Sequence, residues 1–261
     1  MPLYRPRAIH WRQRPGTLCT RINPSPRASG LVVLTGAGIS AESGLPTFRA
    51  SDGLWEGHHI EDVASPEGFA RDPALVHDFY NQRRAALAGV QPNDAHHALV
   101  TLEKRWPGGF LLVTQNVDDL HDRAGSRRLL HMHGELLRAL CQRCDASFPW
   151  SGDMSSATLC PQCHAPGGMR PDIVWFGEMP YHMDDILAAL QRCRLFIAIG
   201  TSGHVYPAAG FVAAASAAGA RTIEVNLTAT AASDAFAEHR TGPASSVLPA
   251  LVEELCAGIK G

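Results

Sequence analysis

The chain has 261 residues, of which 45 % are hydrophobic and 18 % charged, and its formal net charge is −2. Those proportions describe a soluble, globular chain with enough apolar residues for a large core, and they exclude a disordered or fibrous one. No apolar run approaches the ~20 residues that a membrane-spanning helix needs, so no membrane association is expected.

The charge is unevenly spread. Residues 1–29 hold six Arg and no acid, which leaves 17 basic residues (23 − 6) against 25 acidic ones in the rest, a net of −8. A body of that sign has few cations to replace the counterions of a phosphate backbone, so direct nucleic-acid binding is not expected. The head lacks the apolar stretch of a secretory signal. Its Arg-rich composition matches a mitochondrial transit peptide, but a disordered tail ahead of the fold is the simpler expectation, which makes the cytoplasm the expected location. Seven Cys are present, four of them in two Cys-x-x-Cys pairs. That spacing points to metal rather than disulfides, and so to a reducing compartment. Cys19, Cys193 and Cys256 read as ordinary thiols.

In chain order, the first strong element is "LVVLTGAG" (31–38), an apolar run that breaks at Gly36. Three more runs of this kind follow: "FLLVTQNVD" breaks at Thr114 and Gln115, "LFIAIGTS" at Gly200, and "TIEVNL" at Asn226. They are too short for helices and rich in Val, Ile and Leu, which is the pattern of strands buried on both faces. Helical stretches lie between some of them, such as "HMDDILAALQRC" and "YPAAGFVAAASAAGA", the latter with Gly219 near its end. This alternation predicts a parallel α/β sheet whose ligands bind beyond the carboxyl ends of the strands. Four polar strand ends then share one rim.

"VVLTGAGISAESG" predicts a strand, a Gly-x-Gly turn and a helix capped by Ser40, a pattern that lets backbone N–H groups approach a pyrophosphate. No strand ending in an acid follows about 20 residues later, where a hydride-transfer dehydrogenase would hold ribose. "LPTFRASDGLWEGHH" (45–59) reads as loop instead. A nucleotide ligand is expected, in a different architecture.

Residues 57 to about 92 have a helical pattern containing "FYNQRR" (79–84), in which Tyr80 and Arg83 share one helix face. Taken alone that face reads as solvated, and Arg84, about 100° round the helix, reads as solvated too. Farther on, Cys141-x-x-Cys144 and Cys160-x-x-Cys163 are fifteen residues apart. Two such pairs can clamp opposite edges of a tetrahedral Zn2+, and four thiolates leave no position for an activated water, so the metal is expected to be structural.

The motifs "GAGISAESGLPTFR", "TQNVDDLH", "HMHGE", the two Cys pairs, "DIVWFGE", "GTS" and "EVN" occur in an order that resembles the sirtuins, NAD-dependent protein-lysine deacylases. The resemblance covers about residues 30–255. It implies a Rossmann-like domain (30–56, 93–138 and 170–257) and a smaller inserted domain made of a helical segment and a zinc module (57–92 and 139–169). It further implies that NAD is consumed. The acyl oxygen of a modified lysine attacks the ribose carbon that bears nicotinamide, and deacylated lysine, nicotinamide and O-acyl-ADP-ribose leave. Acylated-lysine proteins or peptides are the implied partners, and a monomer is expected.

The resemblance also implies residue roles. Gly36, Ala37, Gly38 and Ser40 would hold the pyrophosphate, with Phe48 and Arg49 on the nicotinamide-ribose side. Gln115, Asn116, Val117 and Asp118 would shape the nicotinamide and ribose pocket. Gly200, Thr201, Ser202, Asn226 and Leu227 would line the adenosine half, with Ala244 as an adenine contact. His133 matches the catalytic base, a role suited to an imidazole that titrates near neutrality. His131 reads as a structural, hydrogen-bonding neighbour. Val174, Phe176, Gly177 and Glu178 would contact a peptide added as a strand; a buried strand followed by a turn is the alternative for that segment.

"FYNQRR" is similar to the bacterial desuccinylase/deacetylase subclass, in which Tyr80 and Arg83 would read the carboxylate of a succinyl or malonyl group. Thr47 stands where many sirtuins have Asp, as expected in this subclass. NAD-dependent ADP-ribosyl transfer to protein and a non-catalytic NAD-sensing module are the alternative functions.

Overall fold

A computed structural model of the protein describes residues 30–46, 54–55 and 57–258. In chain order the first half comprises β1 (Gly30–Thr35), α1 (Gly38–Ala41), β2 (Leu54–Trp55), β3 (His58–His59), α2 (Ile60–Val63), α3 (Pro66–Arg71), α4 (Pro73–Leu87), α5 (Asp94–Arg105), β4 (Phe110–Thr114), α6 (Leu120–Ala124) and β5 (Leu129–His131). The second half comprises β6 (Gly134–Cys141), β7 (Ser147–Pro149), β8 (Met169–Ile173), α7 (Met183–Leu190), β9 (Cys193–Ile199), α8 (Phe211–Ala217), β10 (Arg221–Asn226), β11 (Glu238–Thr241) and α9 (Ala244–Ala257).

Six strands form one parallel sheet in the order β11-β10-β9-β1-β4-β5. Its two faces explain the continuous apolar runs. Leu31 and Val33 on β1 pack with α5 and α9 through Leu99, Leu102, Leu248 and Leu251. Val32 and Leu34 face the other way, toward Ile186 and Leu190 of α7 and Phe211 and Val212 of α8. Each fully buried Leu of these layers contributes about 1.5–3 kcal/mol from removing its side chain from water. The edge strands β5 and β11 escape a search for apolar runs. They are three and four residues long, and β11 reads "EHRT".

The strands β6, β7 and β8 pair antiparallel in a separate sheet. Of the residues assigned from sequence to the larger domain, Gly134 and Glu135 pair with Ile173 and Asp172 in this small sheet, where Arg138 also pairs with Pro149. β2 and β3 form a two-residue antiparallel ladder inside the stretch expected to be loop. Of the helices that follow, α3 and α4 start at side-chain caps. Ser65 accepts from Gly68 N at 2.9 Å ahead of α3, and Asp72 accepts from Leu75 N at 3.0 Å ahead of α4, each followed by Pro at the first helical position. Val63, Phe69, Val76, Phe79, Leu136 and Trp175 make the core between these helices and the small sheet.

Two histidines lie inside the larger unit. His96 on α5 and His121 on α6 are buried, with ring centroids 4.9 Å apart. His96 Nδ1 faces Asn93 N at 3.3 Å in a capping box, and His121 Nε2 sits 3.0 Å from Thr35 Oγ1. Burial lowers His96 to about 4, with His97 adding to the shift, and burial also holds His121 well below its ordinary range. Both rings are thus neutral in the folded protein, while the unfolded chain takes up protons below pH 6.5. Stability therefore falls as pH falls through that window. For His96 alone the loss between pH 6.5 and 4 is about 3 kcal/mol. Urea denaturation of the wild type should lose stability more steeply across this range than His96→Gln, and parallel curves for the two proteins would show that His96 does not drive the loss.

Candidate active site

The rim at the carboxyl end of the parallel sheet starts with three interlocked glycines. Gly38 N donates to Gly200 O at 2.9 Å, and Gly36 N donates to Ile199 O at 3.0 Å. A Cβ at Gly38 would lie 2.6 Å from Gly200 Cα, and one at Gly200, where φ is +59°, would lie 2.6 Å from Ile39 N. The Gly-x-Gly pattern thus records backbone packed on backbone, which brings the ends of β1 and β9 together. Ser40 does not cap α1, contrary to expectation. It is buried within that four-residue helix, where its hydroxyl donates to Asp118 Oδ2 at 3.0 Å and accepts from Asn116 Nδ2 at 3.1 Å. Burial raises the Asp118 carboxyl, while the Leu120 N–H and the Ser40 hydroxyl pull it down. Behind this cluster Thr35 Oγ1 donates to Thr114 Oγ1, which also accepts from Asn116 N, so the sheet itself fixes the Asn116 backbone.

His133 lies in the connection from β5 to β6, anchored by the fully buried Met132 before it. Its Nδ1 is 3.1 Å from the Gln115 carbonyl oxygen, which can only accept. Nδ1 therefore carries the ring hydrogen, and Nε2 presents a lone pair. Burial lowers the His133 pKa, partly offset by the Gln115 carbonyl, which keeps the ring neutral near pH 7. His131 is pushed the opposite way. Burial pulls it down, but Asp122, 3.0 Å from its Nε2, outweighs that and raises it. His131 is thus held at both ring nitrogens, with Nδ1 3.4 Å from Asn116 O, whereas His133 borders a cavity.

A cavity of about 910 Å³ opens beside His133 between the rim and the small sheet. It gathers the predicted residues from widely separated parts of the chain. Gly36, Ala37, Gly38 and Ser40 line it from β1 and α1, and Gln115, Asn116, Val117 and Asp118 from the end of β4. Gly200, Thr201, Ser202, Asn226 and Leu227 complete the sheet side, where Asn226 Nδ2 donates to Thr201 O at 2.7 Å. Ala244 is not part of it. It opens α9 and packs into the core with Leu248 and Leu251, because that helix covers the face of the sheet rather than its rim. Thr47, Phe48 and Arg49 lie outside the described residues. Trp55, His58, Gln82, Trp175 and Tyr206 also line the cavity, and none of them was given a role from sequence, although Gln82 and Trp175 lie inside quoted motifs.

Tyr80 and Arg83 both line the other end of the same cavity, so the shared face inferred from their spacing points inward. Tyr80 is 1 % exposed, its Oη accepts from Trp175 Nε1 at 3.0 Å, and burial pushes its ionisation far above the ordinary phenol range. The Arg83 guanidinium carbon sits 3.2 Å from the centroid of the Phe79 ring, and Nη1 donates to Phe79 O at 2.6 Å. Arg84 is not solvated, contrary to expectation. It is buried, with Nε donating to Leu136 O at 3.1 Å and Nη1 donating to Asn81 Oδ1 and Gly152 O at 3.0 and 3.2 Å. The 100° step that turns it from Arg83 aims it at β6 and the loop after β7, which a single-helix projection does not include.

The "DIVWFGE" segment is a strand followed by a turn. β8 ends at Ile173, and the N–H groups of Val174, Phe176 and Glu178 donate internally to His133 O, Ala64 O and Trp175 O. Val174, Phe176, Gly177 and Glu178 all border the cavity, with Phe176 exposed. The Glu178 carboxylate, expected as a peptide contact, is taken up by Arg170 at 2.7 and 2.9 Å and by Trp175 N at 2.8 Å.

Cys141, Cys144, Cys160 and Cys163 bring four sulfurs within 4.8 Å of one another. The two Cys-x-x-Cys turns are built alike. Asp145 N donates to Cys141 O and His164 N to Cys160 O, both at 2.9 Å, and Asp145 and His164 each adopt a left-handed conformation at φ of 58° and 56°. The Sγ–Sγ distances of 3.8 Å (Cys141–Cys163) and 3.7 Å (Cys144–Cys160) match the edge of about 3.8 Å that a tetrahedron with metal–sulfur bonds of about 2.3 Å requires. The residues fit a structural Zn2+.

The Sir2 family model matches residues 36–207, well over half of the chain. The chain is 60 % identical over 226 residues to an NAD-dependent protein deacylase of Bdellovibrio bacteriovorus, covering 86 % of this chain and 95 % of that relative. The chain belongs to the Sir2 family. A second Sir2-family relative, the NAD-dependent protein deacylase of Escherichia coli K12, is 55 % identical over 232 residues, which cover 88 % of this chain and 83 % of the relative. A crystal structure of a Sir2 homologue in complex with NAD superposes with a TM-score of 0.81 at 38 % identity, covering 89 % of this chain and 91 % of that one. The Sir2 match begins at Gly36 of the glycine turn and takes in His133 and all four clustered cysteines. Asn226 and Leu227 lie beyond it and join the site through β10.

Zinc analysis of freshly purified, reduced protein should give one metal per chain, falling below half occupancy in Cys163→Ser. Asn81 joins α4 to the Met154 backbone, so chelation should also loosen the small unit, seen as faster amide exchange in α4. A metal-free protein with unchanged exchange would remove the structural role.

Proposed function

We propose that the chain is an NAD-dependent protein-lysine deacylase that removes succinyl and malonyl groups, and also acetyl, from lysines of proteins or peptides. The observation that carries the reading is the His133–Gln115 hydrogen bond, which places a neutral imidazole with its Nε2 lone pair beside a cavity having the nucleotide-type rim at one end and Tyr80 and Arg83 at the other.

Bound NAD would supply a ribose carbon from which nicotinamide can leave. The chain does the rest. Gly36, Gly38 and Gly200 shape the backbone wall against which a pyrophosphate would lie, and Asn116, Ser40 and Asp118 form a buried hydrogen-bonded group beside it. His133 Nε2 accepts the proton of a ribose hydroxyl, and the Gln115 carbonyl steadies the imidazolium that forms. The small unit closes the acyl side with Trp55, Phe79 and Trp175, which limits water near the reacting carbon. An acyl chain ending in a carboxylate would meet a guanidinium and a phenol there, both suited to an anion.

His133→Ala should lower kcat by 10²- to 10⁴-fold, the range of a lost general base, while NAD still binds in calorimetry. Turnover near the wild-type rate would remove His133 from this role. For one lysine peptide carrying either acyl group, Arg83→Met should lower the succinyl-to-acetyl ratio of kcat/KM about 30- to 150-fold, as expected for a charge-assisted hydrogen bond of about 2–3 kcal/mol. A ratio that starts near one and does not move would leave a plain deacetylase.

A further inference from the structure

The Tyr80 hydroxyl is held from behind. Glu178 grips Arg170 with both carboxylate oxygens and accepts from Trp175 N, so the start of the 174–178 turn is fixed to a buried ion pair. The Arg170 guanidinium carbon lies 3.3 Å from the centroid of the Trp175 ring. The Trp175 indole N–H reaches Tyr80 Oη at 3.0 Å, and both side chains are 2 % exposed or less while lining the cavity.

An indole N–H only donates, whereas a phenol both donates and accepts. Trp175 therefore fills the acceptor side of Tyr80, and the phenol hydrogen has to point away from the indole. A cation over the indole face withdraws electron density from the ring and strengthens the N–H as a donor. Among the described residues the Tyr80 hydroxyl has no second hydrogen-bond partner, which leaves the cavity as the place for its hydrogen.

We propose that Trp175 is the positioning residue for acyl selectivity: its N–H commits the Tyr80 hydroxyl to donate to a carboxylate oxygen on the substrate's acyl group. This rests on the carboxylate-reading function proposed above. Arg83 supplies charge, and Trp175 acting through Tyr80 supplies direction. An acetyl group offers no such oxygen and gains nothing from the arrangement. The signal was present in the sequence as the Trp of "DIVWFGE", but it can be read only once β8 and α4 are known to face each other.

The test compares kcat/KM for succinyl and acetyl forms of one lysine peptide at saturating NAD, in wild type, Arg83→Met, Trp175→Phe, Tyr80→Phe and the Trp175→Phe/Tyr80→Phe double variant. Trp175→Phe keeps the aromatic ring and removes the N–H. It should lower the succinyl-to-acetyl ratio about 5- to 10-fold, mainly through KM for the succinyl peptide, and the same change in the Tyr80→Phe background should leave the ratio unmoved. A ratio unaffected by Trp175→Phe, or lowered equally with Tyr80 already removed, overturns the proposal. If the wild type shows no succinyl preference and Arg83→Met changes nothing, the carboxylate reading itself has failed. If that preference is present and lost in Arg83→Met but intact in Trp175→Phe, only the positioning role has failed. A second measurement needs no Trp175 variant. The indole ¹⁵N–¹H resonance lost from its place in Tyr80→Phe belongs to Trp175, and it should shift on adding the succinyl peptide but not the acetyl one. Equal shifts with both peptides count against the proposal.

Discussion

The site depends on how closely the backbone after β1 approaches the backbone after β9. β1 lies mid-sheet, with β4 and β5 on one side and β9, β10 and β11 on the other, so the chain leaves β1 where the strand order reverses. In an open parallel sheet a crevice forms at that position, beyond the carboxyl ends of the strands. Here the two flanks of the crevice touch through Gly36, Gly38 and Gly200, with no room for a Cβ between them. Ser40, Asn116 and Asp118 can share hydrogen bonds only because that contact fixes where α1 begins. The Gln115 carbonyl, which orients His133, lies on the next strand and takes its position from the same sheet.

The second unit is joined to this rim by polar side chains as well as by apolar packing. Arg84 and Asn81 fasten α4 to β6 and to the loop that leads into the second cysteine pair. A buried guanidinium is costly unless satisfied, so the bonds from Arg84 Nε and Nη1, with those of the half-buried Asn81 amide, favour one placement of α4. None of the four clustered cysteines lines the cavity. A metal held there would act on the site through the elements that join the two: β6 runs from the cavity-lining Leu136 to Cys141, and Asn81 ties α4 to the Met154 backbone. The reading of zinc as structural is consistent with this arrangement.

Much of this was legible in the sequence, and the gaps have physical causes. The four central strands announced themselves because burial on both faces demands unbroken apolar runs, and their polar ends marked the rim. The cysteine spacing was decisive because few other chemistries need it. β5 and β11 were invisible because they are only three and four residues long, and β11 also carries charged residues. Arg84 was misjudged because helix geometry gives direction but not the neighbour found there, and a buried Arg looks like an exposed one in sequence. Ser40 was read as a cap from its place after glycine, whereas its partner Asp118 lies 78 residues away. Trp175 drew no attention for the same reason: its contact with Tyr80 spans 95 positions.

The contrast between the two ends of the cavity bears on how such a protein can change. At the rim, the close contact is made by main chain against main chain, so any side chain added at Gly38 or Gly200 collides with atoms that every residue type possesses. No substitution elsewhere can make room without moving a strand. At the other end, the same cavity is walled largely by side chains, among them Tyr80, Arg83 and Trp175, so an exchange there does not drive main chain into main chain. Exchanges there, unlike any at Gly38 or Gly200, leave untouched the backbone contact that fixes the rim.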